Sequence, residues 1–491
     1  MSILSGKMWC SRAALALAVA VLLTLSSTAL AFASPNAVTR LRLSNDPFTN
    51  NTSQHKTQVE PDTYSNGSTI VSTFQSGRFF DGGSSDIGRA TSTNNGSTWT
   101  HSFLPGTTPY STPTGPYARV SDPSVAFDAK HAVWIISFLG LFPNGNGNEV
   151  DVEVSRSTNG GLTWSNPVKV DANGHFFDKN WSVCDDTSSS PFYGNCYTEF
   201  DDVNFGDQEM MSTSSDGGVT WGAAKSPSGT PHGLGGQPVV QPGGTVIVPF
   251  EDLNGTISAF TSTNGGTSWT AAVTVATLDT FFEPANIRTS PLPSAEIDGA
   301  GTVYVAWQDC RFESGCTAND IVFSTSSNGT SWSTVKMVPA DPVGSGVDHF
   351  IPGIGVDKST SGSSAHIAVT YYYFTNANCT TNCQLDVGYL SSTNGGTSWS
   401  AKQQLAGPMM LTWLASTNQG NMVGDYISTS IAGTGNAFPV FAVARAPVGS
   451  TFHEAMFTVK GGLPVVGGTN SSSAVVVDWG HAPATSRFTA L

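Results

Sequence analysis

Ser392-Thr-Asn-Gly-Gly-Thr-Ser-Trp399 is one of six copies of a single turn pattern, Ser-x-Asp/Asn-x-Gly-x-Thr/Ser-Trp. The others are Ser92-Thr-Asn-Asn-Gly-Ser-Thr-Trp99, Ser157-Thr-Asn-Gly-Gly-Leu-Thr-Trp164, Ser214-Ser-Asp-Gly-Gly-Val-Thr-Trp221, Ser262-Thr-Asn-Gly-Gly-Thr-Ser-Trp269 and a degenerate Thr325-Ser-Ser-Asn-Gly-Thr-Ser-Trp332. Each residue type has a mechanical use. An Asn or Asp side chain bonds backbone N–H groups two residues on, glycine permits positive φ, and tryptophan is a large apolar anchor. The unit is a rigid hairpin, not a catalytic centre.

The tryptophans are 65, 57, 48, 63 and 67 residues apart. That spacing suits one four-stranded antiparallel blade of an all-β propeller per repeat. A second repeat runs out of phase with the first: Glu60-Pro61-Asp62, Asp122-Pro123-Ser124, Gln237-Pro238-Val239, Leu292-Pro293-Ser294 and Ile351-Pro352-Gly353. Proline is tolerated at a strand's first residue, so these mark the start of each innermost strand. The doubled interval between Pro123 and Pro238 leaves room for a blade whose inner strand starts near Trp181. Beyond Trp399, Gly424-Asp425-Tyr426, Phe438 to Arg445 and Phe452 to Val459 supply three strands of a further blade. The mature N-terminus, near Thr39 to Leu43, would supply its fourth and leave few exposed edges. Seven blades are expected, with six as the alternative, in one domain over residues 34–491.

Strands of an up-and-down blade alternate direction, so the repeated turns lie on one face and the starts of the inner strands on the other. The long insertions, Leu139 to Glu149, Asp309 to Asp320 and Tyr373 to Gln384, fall on the second face. Loops on a rigid scaffold carry binding and catalysis. The rim there gathers Glu60, Asp62, Arg78, Arg119, Asp122, Asp178, Lys179, Glu251, Arg288, Asp309, Arg311, His349, Asp425 and Tyr426 among others. Carboxylates suit acid/base work and guanidinium groups suit an acidic ligand. Three stretches stand out: Asp178-Lys179 interrupts the proline repeat, Asp309 and Arg311 flank Cys310, and Asp425 precedes Tyr426. Asp178 with Lys179 could equally form an ion pair that plugs the channel.

Composition fits this reading. Charged residues are only 12% of the chain while Gly, Ser, Thr and Asn abound, as in short strands joined by polar turns. Lys7 and Arg12, an apolar run from Ala13 to Leu25 and small residues ending at Ala33 have the layout of a secretory leader over residues 1–33. Removing its two positive charges moves the net charge from -15 to -17, which disfavours nucleic acid as a partner. No segment is apolar for the roughly 20 residues of a membrane span. Six mature cysteines form three local couples in an oxidising compartment, so the expected disulfides are Cys184 to Cys196, Cys310 to Cys316 and Cys379 to Cys383. No cofactor is required; Glu199, Asp201 and Asp202, or Asp185 and Asp186, offer the oxygen ligands of a structural calcium.

The six turns resemble the Asp-box, or bacterial neuraminidase repeat, of the sialidase superfamily, over nearly all of the mature chain. The resemblance implies a propeller and, in the enzymes, an arginine clamp on the substrate carboxylate, an Asp proton donor and a Tyr nucleophile. The family's first arginine motif is replaced here by Gln58-Val59-Glu60-Pro61. By position and chemistry the substitutes are Arg119, Arg288 and Arg311, with Asp122 or Asp178 as acid and Tyr426 as nucleophile. Asp425 completes the expected catalytic set, and Arg78, Lys179, Asp309 and Arg311 the binding set. The expected activity is that of a secreted, monomeric exo-acting glycosidase on an acidic or terminal sugar. A glycan- or protein-binding propeller and a uronate-directed lyase remain open alternatives.

Overall fold

The computed structural model describes residues 38–142 and 149–471. The leader expected over residues 1–33 lies outside them. Among the described residues there is no α-helix, only strands and three short 3-10 turns. Strands such as Val133–Leu141 and Ile367–Phe374 read as continuous apolar runs because both of their faces are covered.

The strands form successive antiparallel groups, whose mutually contacting members, the first strands, are β1 (Gln58–Asn66), β2 (Arg119–Asp128), β3 (Phe177–Cys184), β4 (Val239–Val240, preceded in its sheet by Gly233–Leu234), β5 (Ser294–Ile297), β6 (Asp348–Val356) and β7 (Ser428–Ile431). Ser398–Trp399 with Asn470–Ser471 and Ala415–Thr417 with Gly420–Met422 form separate two-stranded ladders. In the second group β2 pairs with Val133–Leu141, which pairs with Val150–Ser157 and then Val168–Asp171. In the last, β7 pairs with Asn436–Val448, which pairs with Thr451–Val459. Arg40–Arg42 then pairs with Thr451–Val459, so the first described strand joins the last group, while Asn470–Ser471 at the other end pairs with Ser398–Trp399. A single bridge from Ser84 to Val120 joins the first two groups.

Each first strand touches the next, from β1 to β7, and β7 touches β1. Side chains connect them where no backbone ladder does. Asp62 accepts from the Val125 N–H at 2.7 Å, Ser124 from Ser182 at 2.8 Å, Gln237 from Ala295 at 2.9 Å and Ser294 from Ile354 at 3.2 Å. Some approaches leave no room for a side chain: a Cβ on Gly353 would lie 2.7 Å from the Ile427 carbonyl oxygen.

The repeated turns share the serine and Asn/Asp bonds, and those at Ser92, Ser157 and Ser392 add a bond from the tryptophan. In the first, Ser92 Oγ accepts from the Gly96 N–H at 2.9 Å and Asn94 Oδ1 from the Thr98 N–H at 2.9 Å, while Trp99 Nε1 donates to the Gly96 carbonyl at 3.1 Å. The turn at Ser392 repeats it. The degenerate copy is one residue shorter between Ser326 and its glycine, and Ser326 Oγ accepts from Gly329 instead. Trp399 is buried and meets Phe323 edge-on at 5.9 Å. The Asn95 N–H bonds the Ser68 carbonyl just beyond β1, which puts these turns at the C-terminal ends of the first strands.

Three disulfides form, Cys184–Cys196, Cys310–Cys316 and Cys379–Cys383, the last two within long loops at the opposite end. No described helix is long and apolar enough to cross a membrane.

Candidate functional site

Four first strands are interrupted by the same irregularity. Register slips between Val59 and Asp62, Ser121 and Ser124, Asp178 and Trp181, and Phe350 and Gly353. Within each slip one residue takes positive φ: Glu60 at 55°, Asp122 at 46°, Lys179 at 52° and Ile351 at 51°. Non-glycine residues rarely adopt this conformation, and β-bulges that enforce it re-aim a side chain. Three of the four coincide with the proline repeat, Pro61, Pro123 and Pro352 each following the positive-φ residue directly, whereas Lys179 is followed by Asn180.

The re-aimed side chains meet groups from other sheets. Lys179 Nζ lies 3.3 Å from Asp122 Oδ1 and 3.8 Å from the centre of the Tyr426 ring. Arg288 forms a two-point pair with Asp425, its Nε donating to Oδ1 at 2.7 Å. Gln75 donates to Glu60 and, at 3.0 Å, to Ser121, whose hydroxyl donates to Asp122 at 2.7 Å. Arg78 donates to the Gly83 carbonyl at 2.8 Å and feels the field of Arg288, Glu60 and Asp425. Three cations, Arg78, Lys179 and Arg288, thus face three carboxyl groups, Glu60, Asp122 and Asp425, and all six are buried.

The environments split the carboxyl groups. Burial, reinforced by Asp122 and Asp425, pushes Glu60 well above the usual carboxyl range. Burial also opposes ionisation of Asp425, but Arg288 and Lys179 outweigh it and hold Asp425 below its ordinary value. The two neighbouring carboxyl groups are thus pushed in opposite directions, Glu60 towards its protonated form and Asp425 towards its ionised form. Burial works against the Lys179 charge, yet Asp122, Glu60 and Asp425 raise it above its ordinary value. Tyr426 is driven far up by burial and by Glu60, and its hydroxyl donates to the Pro123 carbonyl at 3.0 Å.

Of the sequence-derived candidates, Asp122, Asp425, Tyr426, Arg78, Lys179 and Arg288 come together at this centre. Asp178 borders it, accepting the Lys179 N–H at 2.9 Å and lining a cavity of about 20 Å³ with Asp122, Leu234 and Leu292. Lys179 pairs with Asp122 rather than with its neighbour Asp178. Arg119 is instead engaged by exposed Asp81 at 2.6 Å and stacks on Phe79. Asp309 and Arg311 bind one another, and the Trp307 indole and the Thr277 carbonyl complete a brace under the Cys310–Cys316 loop. The clamp of Arg119, Arg288 and Arg311 is thus not assembled. Glu60 was legible as the partner of Asp122 in the proline repeat, whereas Gln75 and Ser121 carried no signal.

A second carboxyl cluster borders the first. Asp178, Asp201 and Glu209 lie side by side across the third sheet, with Glu199 on the same face as Asp201. Burial and neighbouring carboxyl groups raise Glu199 and Asp201 well above the ordinary range, and burial with Asp252 and Asp207 raises Glu209 to about 8. Glu209 is close enough to Glu199 to add to the rise of Glu199. Asp186 bonds Tyr64 and the Ala129 N–H, and Asp185 the Thr187 N–H and Ser190. Among the described residues no three His, Cys, Asp or Glu side chains are placed to hold a metal ion.

No family model matches the sequence, and no curated protein does. Solved structures do. A polysaccharide lyase, an ulvan lyase bound to GlcA(1-4)Rha3S, superposes with a TM-score of 0.51 at 11% identity, over 86% of this chain and 96% of the other. A sialidase from Trypanosoma rangeli gives 0.46 at 11%, over 87% of this chain and 60% of the other. A sialidase from Streptococcus pneumoniae gives 0.43 at 13%, over 86% and 70%. At such identities the likeness is one of fold: the chain shares an all-β antiparallel architecture with the lyase.

Proposed function

We propose that this protein is a secreted, carbohydrate-active propeller of seven blades, acting as an exo-glycosidase on an acidic sugar at the charged centre where the first strands bulge. The cycle of contacts from β1 to β7 supports the blade count. The proposed leader and the three disulfides support an extracellular location. The observation that supports the activity is the buried cluster of Glu60, Asp122 and Asp425 with three cations, in which Glu60 is raised and Asp425 lowered. Guanidinium groups of Arg78 and Arg288 and the Lys179 ammonium attract a sugar carboxylate. Glu60 then protonates the departing glycosidic oxygen, and Asp122 on the adjoining bulge takes the proton of the attacking water. Tyr426 serves as a wall under Lys179 in this arrangement, because its hydroxyl is committed to Pro123. Leu234 and Leu292 border the small central cavity, so substrate entry displaces them.

The experiment is a screen against fluorogenic sialosides, uronides and neutral glycosides, with Glu60→Gln beside the unaltered protein. Turnover of an acidic substrate that Glu60→Gln abolishes supports the reading; turnover restricted to neutral glycosides contradicts it. A non-catalytic glycan-binding protein is the second reading, favoured by the closed packing of Lys179 over Tyr426. Tight binding of an acidic glycan without turnover would select it.

A further inference from the structure

The space at the bulged end is not the only one along the axis among the described residues. A well of about 330 Å³ opens at the end where the repeated turns lie, lined by residues of all seven first strands or their immediate continuations. That volume falls in the range of small-molecule pockets, roughly 300–1,000 Å³. Trp181, which lines the well and also borders the charged centre, meets Tyr426 edge-on at 5.1 Å, and this pair walls one space from the other.

The well has its own chemistry. Lys358, just beyond β6, is exposed to it, and its ammonium donates to the Tyr64 hydroxyl at 3.1 Å and lies 4.9 Å from the Tyr64 ring centre. Tyr64 in turn donates to Asp186 Oδ2 at 3.1 Å, and Asp186 Oδ1 accepts from the Ala129 N–H at 2.8 Å. Glu296 on β5 is half-buried and interacts electrostatically with Lys358. Asp62 also lines the space, but both its oxygens are taken by the Thr63 and Val125 N–H groups. The half-buried aromatic rings are Tyr64 and Trp181, and Val240, Pro242, Ile297 and Ile354 complete an apolar wall.

We infer that this well is a second carbohydrate site, which takes a neutral pyranose by hydroxyl contacts to Lys358 and Glu296 and by packing against Tyr64 and Trp181. A sugar hydroxyl both donates and accepts. Neighbouring hydroxyls can therefore accept from an ammonium while donating to a carboxylate. Lys358 and Glu296 both line the well and offer a donor and an acceptor within one space, and an aromatic face receives the apolar side of the ring. Four carboxyl groups, Asp62, Asp186, Glu296 and Asp298, against one ammonium disfavour an anionic sugar, whereas cations and carboxyl groups are equal in number at the bulged end. The assignment stands whether or not the charged centre is catalytic, because the two spaces share no charged side chain.

The test is saturation-transfer NMR and calorimetry with the methyl glycosides of glucose, galactose and mannose, and with glucuronate, on the full chain. At least one neutral glycoside binds, and Lys358→Met and the near-isosteric Glu296→Gln each weaken it about tenfold or more, as loss of a charged hydrogen bond does. The paired Arg288→Met/Asp425→Leu variant at the bulged end leaves that binding unchanged. Absence of binding by all three neutral glycosides overturns the inference. So does binding that survives both well variants, or a preference of the well for glucuronate.

Discussion

The two ends of the central axis are built from the same seven strands and differ in almost every physical respect. At the bulged end, positive-φ residues turn charged side chains inward, and the charges cancel in pairs and close the space to about 20 Å³. At the end of the repeated turns the strands run regularly, backbone groups are satisfied by short struts, and about 330 Å³ stays open. Strained backbone and buried charge are costly, and such costs concentrate where chemistry is done. Openness without strain is what a binding well needs. Position along a strand, more than residue type, sets which role an Asp or Lys plays: Asp62 braces two strands, whereas Asp122, at the same point of the proline repeat as Glu60, faces the charged centre.

The largest effect should separate chemistry from scaffold at the bulged end. Glu60→Gln keeps the hydrogen bond from Gln75 but removes the mobile proton, and kcat is expected to fall by about 10²–10⁴ with little change in KM. A fall confined to KM would make Glu60 a binding residue. At the other end, Trp399→Ala should leave the charged centre intact while costing about 3–5 kcal/mol of stability in denaturant titration, since the indole is buried. A loss below about 1 kcal/mol would detach the repeated turns from the core.

A pH comparison sharpens the contrast further. Glu209 is raised from 4.5 to about 8, so the folded state binds its proton more tightly than the unfolded chain. The stability this contributes is fully present below pH 4.5 and is lost as pH rises through about 8. Glu209→Gln should therefore narrow the difference in Tm between pH 5 and pH 8, raising the value at pH 8. An unchanged difference would show that Glu209 titrates normally. The smallest effect belongs to Arg119, whose partner Asp81 is largely exposed: Arg119→Ala should shift stability by about 1 kcal/mol or less and leave turnover unaltered.

Much of this was legible in the chain. Eight-residue turns and the proline repeat announce a period, and periods survive in sequence because each copy solves the same packing problem. The repeats led to the antiparallel sheets, and the last sheet's use of Arg40–Arg42 followed from the shortage of strands after Trp399. The convergence of Asp122, Lys179, Arg288 and Asp425 followed from their places at strand starts. Pairing within the centre was not legible. Nothing in Asp309-Cys310-Arg311 says that the guanidinium folds back on its own neighbour, because that depends on the loop closed by Cys316. The well was equally hidden, since Lys358, Tyr64 and Glu296 come from three distant strands and belong to no motif.

The account turns on acidic sugar being held at the bulged end. Calorimetric titration with glucuronate and sialic acid, comparing the unaltered chain with Arg288→Met/Asp425→Leu and with Lys358→Met, tests this most directly. The paired variant removes both partners of a buried ion pair together and so leaves no uncompensated charge. The account predicts that acidic sugar binding is lost in the paired variant and kept in Lys358→Met. Binding kept in the paired variant and lost in Lys358→Met would place the acidic sugar in the well and contradict it.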